Sequence, residues 1–254
     1  MVRLLACALV VACSGGKARD DGAVASGSGS GSASAPADAA GASDAAPPAG
    51  GDLAVRVEWR GVPTAARTAP GRTSCNTPRA PSVSPTTMFQ IPEALVFVEG
   101  TGTLPAQAHV RLGNCAFTPR VAVGAALVLE STSGRPVRAT LAKWGDAKDL
   151  TALAEGAARS IQLPIAGHAV AVTLEPGAIY RLSTDDKDPE TAWIVAAPAA
   201  VTEPSGQVTV HASPGEHAIR ALVPARGGQP ARLGAGRATA VTGELVEVAI
   251  ELAP

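Results

Sequence analysis

The chain has 254 residues, a formal net charge of −1 and only 3% aromatic residues. Balanced charge excludes the large basic field that grips a nucleic-acid backbone. So few rings also exclude an extended stacking platform for bases.

Met1, Val2 and Arg3 lead into nine uncharged residues, Leu4 to Ala12. A basic start before a short apolar stretch has the form of a signal peptide. As a helix it would reach about 14 Å, against a hydrocarbon core of roughly 30 Å, so it is read as an export signal and not as a membrane span. It ends in Val10-Val11-Ala12-Cys13-Ser14. This resembles the bacterial lipobox, which implies that Cys13 receives diacylglycerol and becomes the first residue of the mature chain. Cys7 also follows small and apolar residues, but cleavage there leaves too little apolar length, so Cys7 is read as part of the signal. Ser14 resembles the residue that sends lipoproteins to the outer membrane.

Of the 39 residues from Ser14 to Asp52, 31 are Gly, Ala, Ser or Pro, and Val24 is the only larger apolar side chain. Such a stretch buries too little surface to offset its ordering entropy. Residues 1–12 are therefore predicted to be the signal peptide and 13–52 a lipidated, disordered tether. A flexible coil of that length reaches about 35 Å. About 200 residues remain, enough for one sandwich-sized domain or two small ones.

Val55, Val57 and Trp59 alternate with Arg56, Glu58 and Arg60, which predicts a half-buried strand over 53–60. Residues 61–92 carry six prolines and few apolar side chains and are read as an irregular excursion. Strands are expected at 94–98, 109–112, 121–123 and 126–129, the last two broken at Gly124. The only stretch of helical composition is Leu150 to Ala158. Further strands are expected at 169–174, 180–183, 192–196, 207–211, 217–223, 237–241 and 245–252. Pro176-Gly177, Pro214-Gly215, Gly227-Gly228 and Gly234-Ala235-Gly236 are read as turns between them. Many short strands at this spacing predict an all-β sandwich.

The mature domain holds two cysteines, Cys75 and Cys115. In an oxidising compartment such a pair reads as a disulfide, here one that staples the proline-rich excursion to the strands.

Three runs then stand in order: Ala94-Leu95-Val96-Phe97-Val98-Glu99-Gly100, Cys115-Ala116-Phe117-Thr118-Pro119-Arg120, and Val123-Gly124 before an apolar strand. A later block reads Leu174-Glu175-Pro176-Gly177, Tyr180-Arg181-Leu182, Trp193-Ile194-Val195, Pro198, Val201-Thr202, Gly206 and Pro214-Gly215. Together they resemble the cupredoxin-like proteins of the plastocyanin-like and methylamine-utilisation type, over roughly residues 53–254. The resemblance implies a Greek-key β-sandwich over 53–197 and a small carboxypeptidase-regulatory or transthyretin-like β module over 198–254. It also implies a cysteine bond like Cys75–Cys115.

A blue-copper centre needs His, thiolate and commonly a thioether. Carried across position by position, the resemblance puts Val137 and Thr140 at the first histidines, Asp185 at the thiolate, Asp188 at the later histidine and Thr191 at the methionine. Arg120 stands where the family's F-x-P-H motif has its histidine. Scaffold positions Phe117, Pro119, Gly124, Pro189 and Gly206 persist. The resemblance thus implies the fold without the metal, and no cofactor is expected.

Other constellations are weaker. His211 and His217 are close in sequence and could form a weak metal pair or supply a base, but they read more simply as strand positions. Asp185, Asp186, Asp188 and Glu190 form an acidic loop with the oxygen density of a hard-cation site, though Lys187 sits among them and the EF-hand pattern is absent. Neither a nucleophile elbow nor a Walker loop is present. Trp59, Trp144 and Trp193 are read as packing residues, with Trp144 also open to an exposed contact. The sequence therefore predicts a non-catalytic, metal-free lipoprotein that binds or scaffolds at the cell envelope. Its partners would be the membrane, through the lipid on Cys13, and other envelope proteins; nucleic acid is not among them. A copper or electron carrier and an envelope enzyme with a site on its loops are the alternatives.

Overall fold

The computed structural model describes residues 50–73, 75–184 and 191–253. Cys13, the predicted signal and nearly all of the predicted tether lie outside them, as do Asp185 to Glu190. The strands are β1 (Gly51–Glu58), β2 (Leu95–Val98), β3 (Gln107–Gly113), β4 (Ala116–Thr118), β5 (Val121–Val123), β6 (Ala126–Ser131), β7 (Val137–Asp146) and β8 (Ala158–Leu163). They continue as β9 (Ala169–Thr173), β10 (Ala178–Thr184), β11 (Ala192–Val195), β12 (Ala200–Val201), β13 (Gln207–Ala212), β14 (Gly215–Val223), β15 (Arg232–Ala240) and β16 (Leu245–Glu251). One short helix, α1 (Thr64–Arg67), interrupts the proline-rich excursion. The protein is all-β.

The strands form sheets of order β13-β1-β16, β12-β2-β14-β15, β5-β11-β10-β7-β8 and β4-β3-β6-β9. Three apolar cores separate them, so the sheets stack face to face in that order. Leu53, Val55 and Val57 of the first sheet meet Val96, Ile219 and Ala221 of the second. On its other face the second sheet turns Leu95, Phe97 and Leu222 toward Val121, Ile179 and Trp193 of the third. The third sheet then packs Leu141, Leu182 and Ile194 on Val110, Leu127 and Leu129 of the fourth.

This layering explains the two kinds of apolar pattern in the sequence. Every residue of β2 and of β11 is buried because both strands lie in inner sheets covered on both faces. By contrast β3 and β6 alternate strictly, because the fourth sheet has one face in solvent. The position 197/198 falls between β11 and β12. Strands from the two sides of it share sheets: β1 lies between β13 and β16, and β2 between β12 and β14.

Cys75 and Cys115 are joined, with Cα atoms 5.7 Å apart. Cys115 and Asn114 form the two-residue loop of the β3–β4 hairpin, both at positive φ as a type I′ turn requires. Thr77 Oγ1 donates to Asn114 O at 3.0 Å, a second tie between the excursion and the same hairpin. The crosslink spans 40 residues. Closing such a loop removes denatured-state entropy worth at most about 4 kcal/mol.

Three local expectations are corrected. Residues 150–157 are turn and coil and Ala158 opens β8, so none is helix: Asp149 Oδ1 accepts from both the amide and the hydroxyl of Thr151, a local turn that competes with helical bonding. The chain then folds back on β7, with Ala154 N donating to Trp144 O and Gly156 N to Lys143 O. Gly234 and Gly236 lie inside β15 and not in a turn, and a Cβ on Gly234 would stand 2.7 Å from Glu251 O, so glycine lets β15 and β16 close together. Finally β1 starts at Gly51, two residues earlier than expected, because Gly51 pairs with Ala212.

Candidate functional site

The described positions that the cupredoxin resemblance assigns to metal ligands, Val137, Thr140 and Thr191, lie on or directly beside β7 and β11 of the third sheet. Val137 opens β7, and Thr140 lies across from Ser183 of β10 and Ser160 of β8. Thr191 and Arg120 line a recess together. Asp185 and Asp188 lie outside the described residues. The donors do not fit a blue-copper centre: these four positions offer no imidazole, thiolate or thioether, both domain cysteines are bonded to each other, and the domain's only methionine, Met88, is 69% exposed. Among the described residues, no three His, Cys, Asp or Glu side chains converge as metal ligands.

What the fold does bring together is arginine. Arg120 stands between β4 and β5, where its carbonyl accepts from Trp193 N at 2.8 Å. Arg226 stands at the β14–β15 turn, closed by reciprocal main-chain hydrogen bonds with Gln229 across Gly227 and Gly228, both at positive φ. Both guanidinium groups hold Glu93 Oε2, Arg120 Nη2 at 2.5 Å and Arg226 Nη1 at 2.8 Å. Thr202, buried beneath, fixes that glutamate: its carbonyl accepts from Glu93 N, and its hydroxyl bridges Ala94 N and Ile91 O. Burial pushes the Glu93 carboxyl up. The charge of Arg226 and the hydrogen bond and charge of Arg120 outweigh it and hold the group below the usual glutamate range.

The recess beside Arg120 and Arg226 is small, about 50 Å³, and shares Arg79, Thr191 and Arg226 with a neighbouring cavity of about 670 Å³. Arg72, Arg79, Arg181 and Arg226 line that cavity. Arg79 Nε donates to Arg72 O at 3.1 Å and Arg72 donates to Asn76 O, so the disulfide-tied excursion positions both. Arg181, on β10, lies 4.2 Å over the Trp144 ring and donates to Glu155 at 2.8 Å. Trp144 in turn meets Trp193 edge to face at 5.5 Å, and Trp193 Nε1 donates to Ala225 O at 3.0 Å. Trp144 is thus the platform for Arg181, not a free surface contact. No Asp or Glu is among the described residues that line either space.

Compared with protein families, curated proteins and solved structures, the chain matches none.

The histidines do not act as a pair. His211 Nδ1 lies 3.0 Å from Asp52 Oδ1 in solvent. His217 is buried, with Nε2 2.7 Å from Ser213 O and Nδ1 2.9 Å from Glu99 O. A carbonyl only accepts, so the imidazolium alone satisfies both contacts. The carbonyls of Ser213 and Glu99 accordingly hold the His217 pKa above its ordinary value, and the ring clamps the end of β2 to the β13–β14 connection.

Sequence reading missed the arginine cavity. Its members come from the excursion, the β4–β5 connection, β10 and the β14–β15 turn, more than 150 residues apart at the extremes. Only Arg120, standing in a motif that resembles one ending in histidine, marked the place.

Proposed function

We propose that this chain is a non-catalytic binding protein of the cell envelope, anchored by lipid on Cys13. Its scaffold would be a cupredoxin-like β-sandwich with a transthyretin-like tail, and its working site the arginine-lined cavity. The observation that carries this reading is the convergence of Arg72, Arg79, Arg120, Arg181 and Arg226 on two adjoining spaces. Guanidinium groups from four separate segments serve recognition, since they present fixed forks of donors and do not give up protons at neutral pH. A metal-free working state is supported by the donor set at the positions of the family's ligands.

Two measurements test the reading. Cells grown with a clickable fatty acid should label the native chain and not a Cys13→Ala variant; equal labelling of the variant defeats the anchor. Copper added to the disulfide-intact mature chain should give no intense thiolate-to-copper band, because both domain cysteines are bonded to each other and offer no thiolate. A strong visible band with reversible reduction would make the protein an electron carrier instead.

A further inference from the structure

We infer that a second cavity, between the β7–β8 connection and β15, takes a short apolar peptide with free termini, whose carboxylate meets Lys148 and Arg220 and whose ammonium meets Glu251. This cavity shares no lining residue with the arginine-lined spaces, so the inference goes beyond the function proposed for them.

The cavity measures about 720 Å³, within the usual range for small-molecule sites. Its place follows from strand register. Arg220 of β14 pairs with Ala235 of β15 and Leu222 with Leu233, so these four share the face of the second sheet that looks toward the third. The β7–β8 connection is held over that face by Arg220 Nη1, which donates to Lys148 O at 3.0 Å. The end of β16 closes the other side, where Ala253 N donates to Leu233 O at 2.8 Å. Leu150 and Leu252, both buried, join Leu233 in an apolar lining. Walls tied in this way stand before a ligand arrives, which lowers the entropy lost on binding.

The charges decide what that ligand is. Arg220 is half-buried, with its guanidinium 5.8 Å from the Phe97 ring centroid, and the Lys148 carbonyl is its hydrogen-bond partner; among the described residues no carboxylate neutralises it. Lys148, exposed beside it, has no ion pair among the described residues either. Charge set against an apolar wall is weakly screened, so a carboxylate on an apolar body is the complement of this side. On the far side of β15 the exposed Glu251 is likewise without an ion pair among the described residues and calls for a cation on the same molecule. Asp149 is not its equal, because its Oδ1 is occupied by Thr151. With β15 between them, the backbones that carry Arg220 and Glu251 stand about 10 Å apart at roughly 5 Å per strand. An extended chain of three residues spans about 10 Å, so a tripeptide with apolar side chains bridges the two charges.

The experiment titrates the full mature chain in detergent calorimetrically with the tripeptide Leu-Ala-Leu, with its N-acetyl and C-amide derivatives and with triglycine. The free tripeptide should bind at least tenfold more tightly than any of the other three. Lys148→Gln and Glu251→Gln should each weaken it at least threefold. Glu251→Gln should leave the N-acetyl peptide unaffected, and Lys148→Gln the C-amide, a pairing of variant with ligand that a general structural defect does not produce. Ala235→Phe, which sets a ring into the cavity from an exposed strand position, should abolish binding, with circular dichroism to show that the chain is folded. Arg72→Gln, in the arginine cavity, should leave the tripeptide's affinity unchanged, which keeps failure of one site distinct from failure of the other. Absence of binding to the native chain overturns the inference. Binding that survives all three variants in this cavity overturns it too, as does an N-acetyl or C-amide peptide that binds as tightly as the free one.

Discussion

Replacing Trp193 by alanine should lower the stability of the domain by about 4–6 kcal/mol. Among the described residues it is the largest fully buried side chain, 1% exposed, in the core between the two inner sheets. Truncating a buried tryptophan to alanine costs about 3–5 kcal/mol, from lost transfer free energy and the cavity left behind. The Ala225 carbonyl also loses its donor, which adds about 1 kcal/mol. Trp193→Phe separates the two: it keeps most of the bulk and should cost about 1–2 kcal/mol. Both are read from urea unfolding followed by far-ultraviolet circular dichroism. The effect should extend to the cavity, because Trp144 rests its ring on Trp193 and carries Arg181 on its face. A loss below about 1 kcal/mol for the alanine variant would mean that the inner sheets do not depend on this contact.

Where a strand's burial follows from its own residues, the sequence makes it legible. The run Leu95 to Val98 announces a strand covered on both faces, and His109 to Leu112 one covered on a single face. β7, at ten residues the longest strand, went unread because its inward positions include Ala139 and Ala142, too small to register as apolar alternation. β8 is an edge strand on which only Ile161 and Leu163 are buried, and β12 is two residues long. Neither leaves a periodic signal. The Cys75–Cys115 bond was legible because the domain holds only these two cysteines. The arginine cavity was not. It depends on how the excursion and the β14–β15 turn are brought beside β10, and that is a product of sheet stacking, not of any local pattern. Arginine on a half-polar strand or loop reads as solvated surface until its neighbours from other segments are in place.

Glu93 gives the sharpest test of that cavity's electrostatics. Its Oε2 accepts from both Arg120 and Arg226, and Arg226 is almost fully buried. Glu93→Gln leaves two neighbouring guanidinium groups without their shared counter-charge. Removing one partner from a buried pair costs about 3–5 kcal/mol, and because Glu93 is 29% exposed the lower end applies, about 3 kcal/mol. The acid dependence follows from the direction of its pKa. Burial raises it, the two arginines lower it further, and the carboxyl ends below its unfolded value. The unfolded chain therefore takes up this proton first as pH falls. The stability Glu93 provides is complete above its unfolded pKa, about 4.3, and is lost as pH drops below that through the folded value. Urea midpoints of the native chain and of Glu93→Gln should differ most at neutral pH and converge toward pH 3. Parallel curves across that range would show that the carboxylate is not charged against these arginines, and the cavity would lose the anchor that holds Arg120 and Arg226 in place.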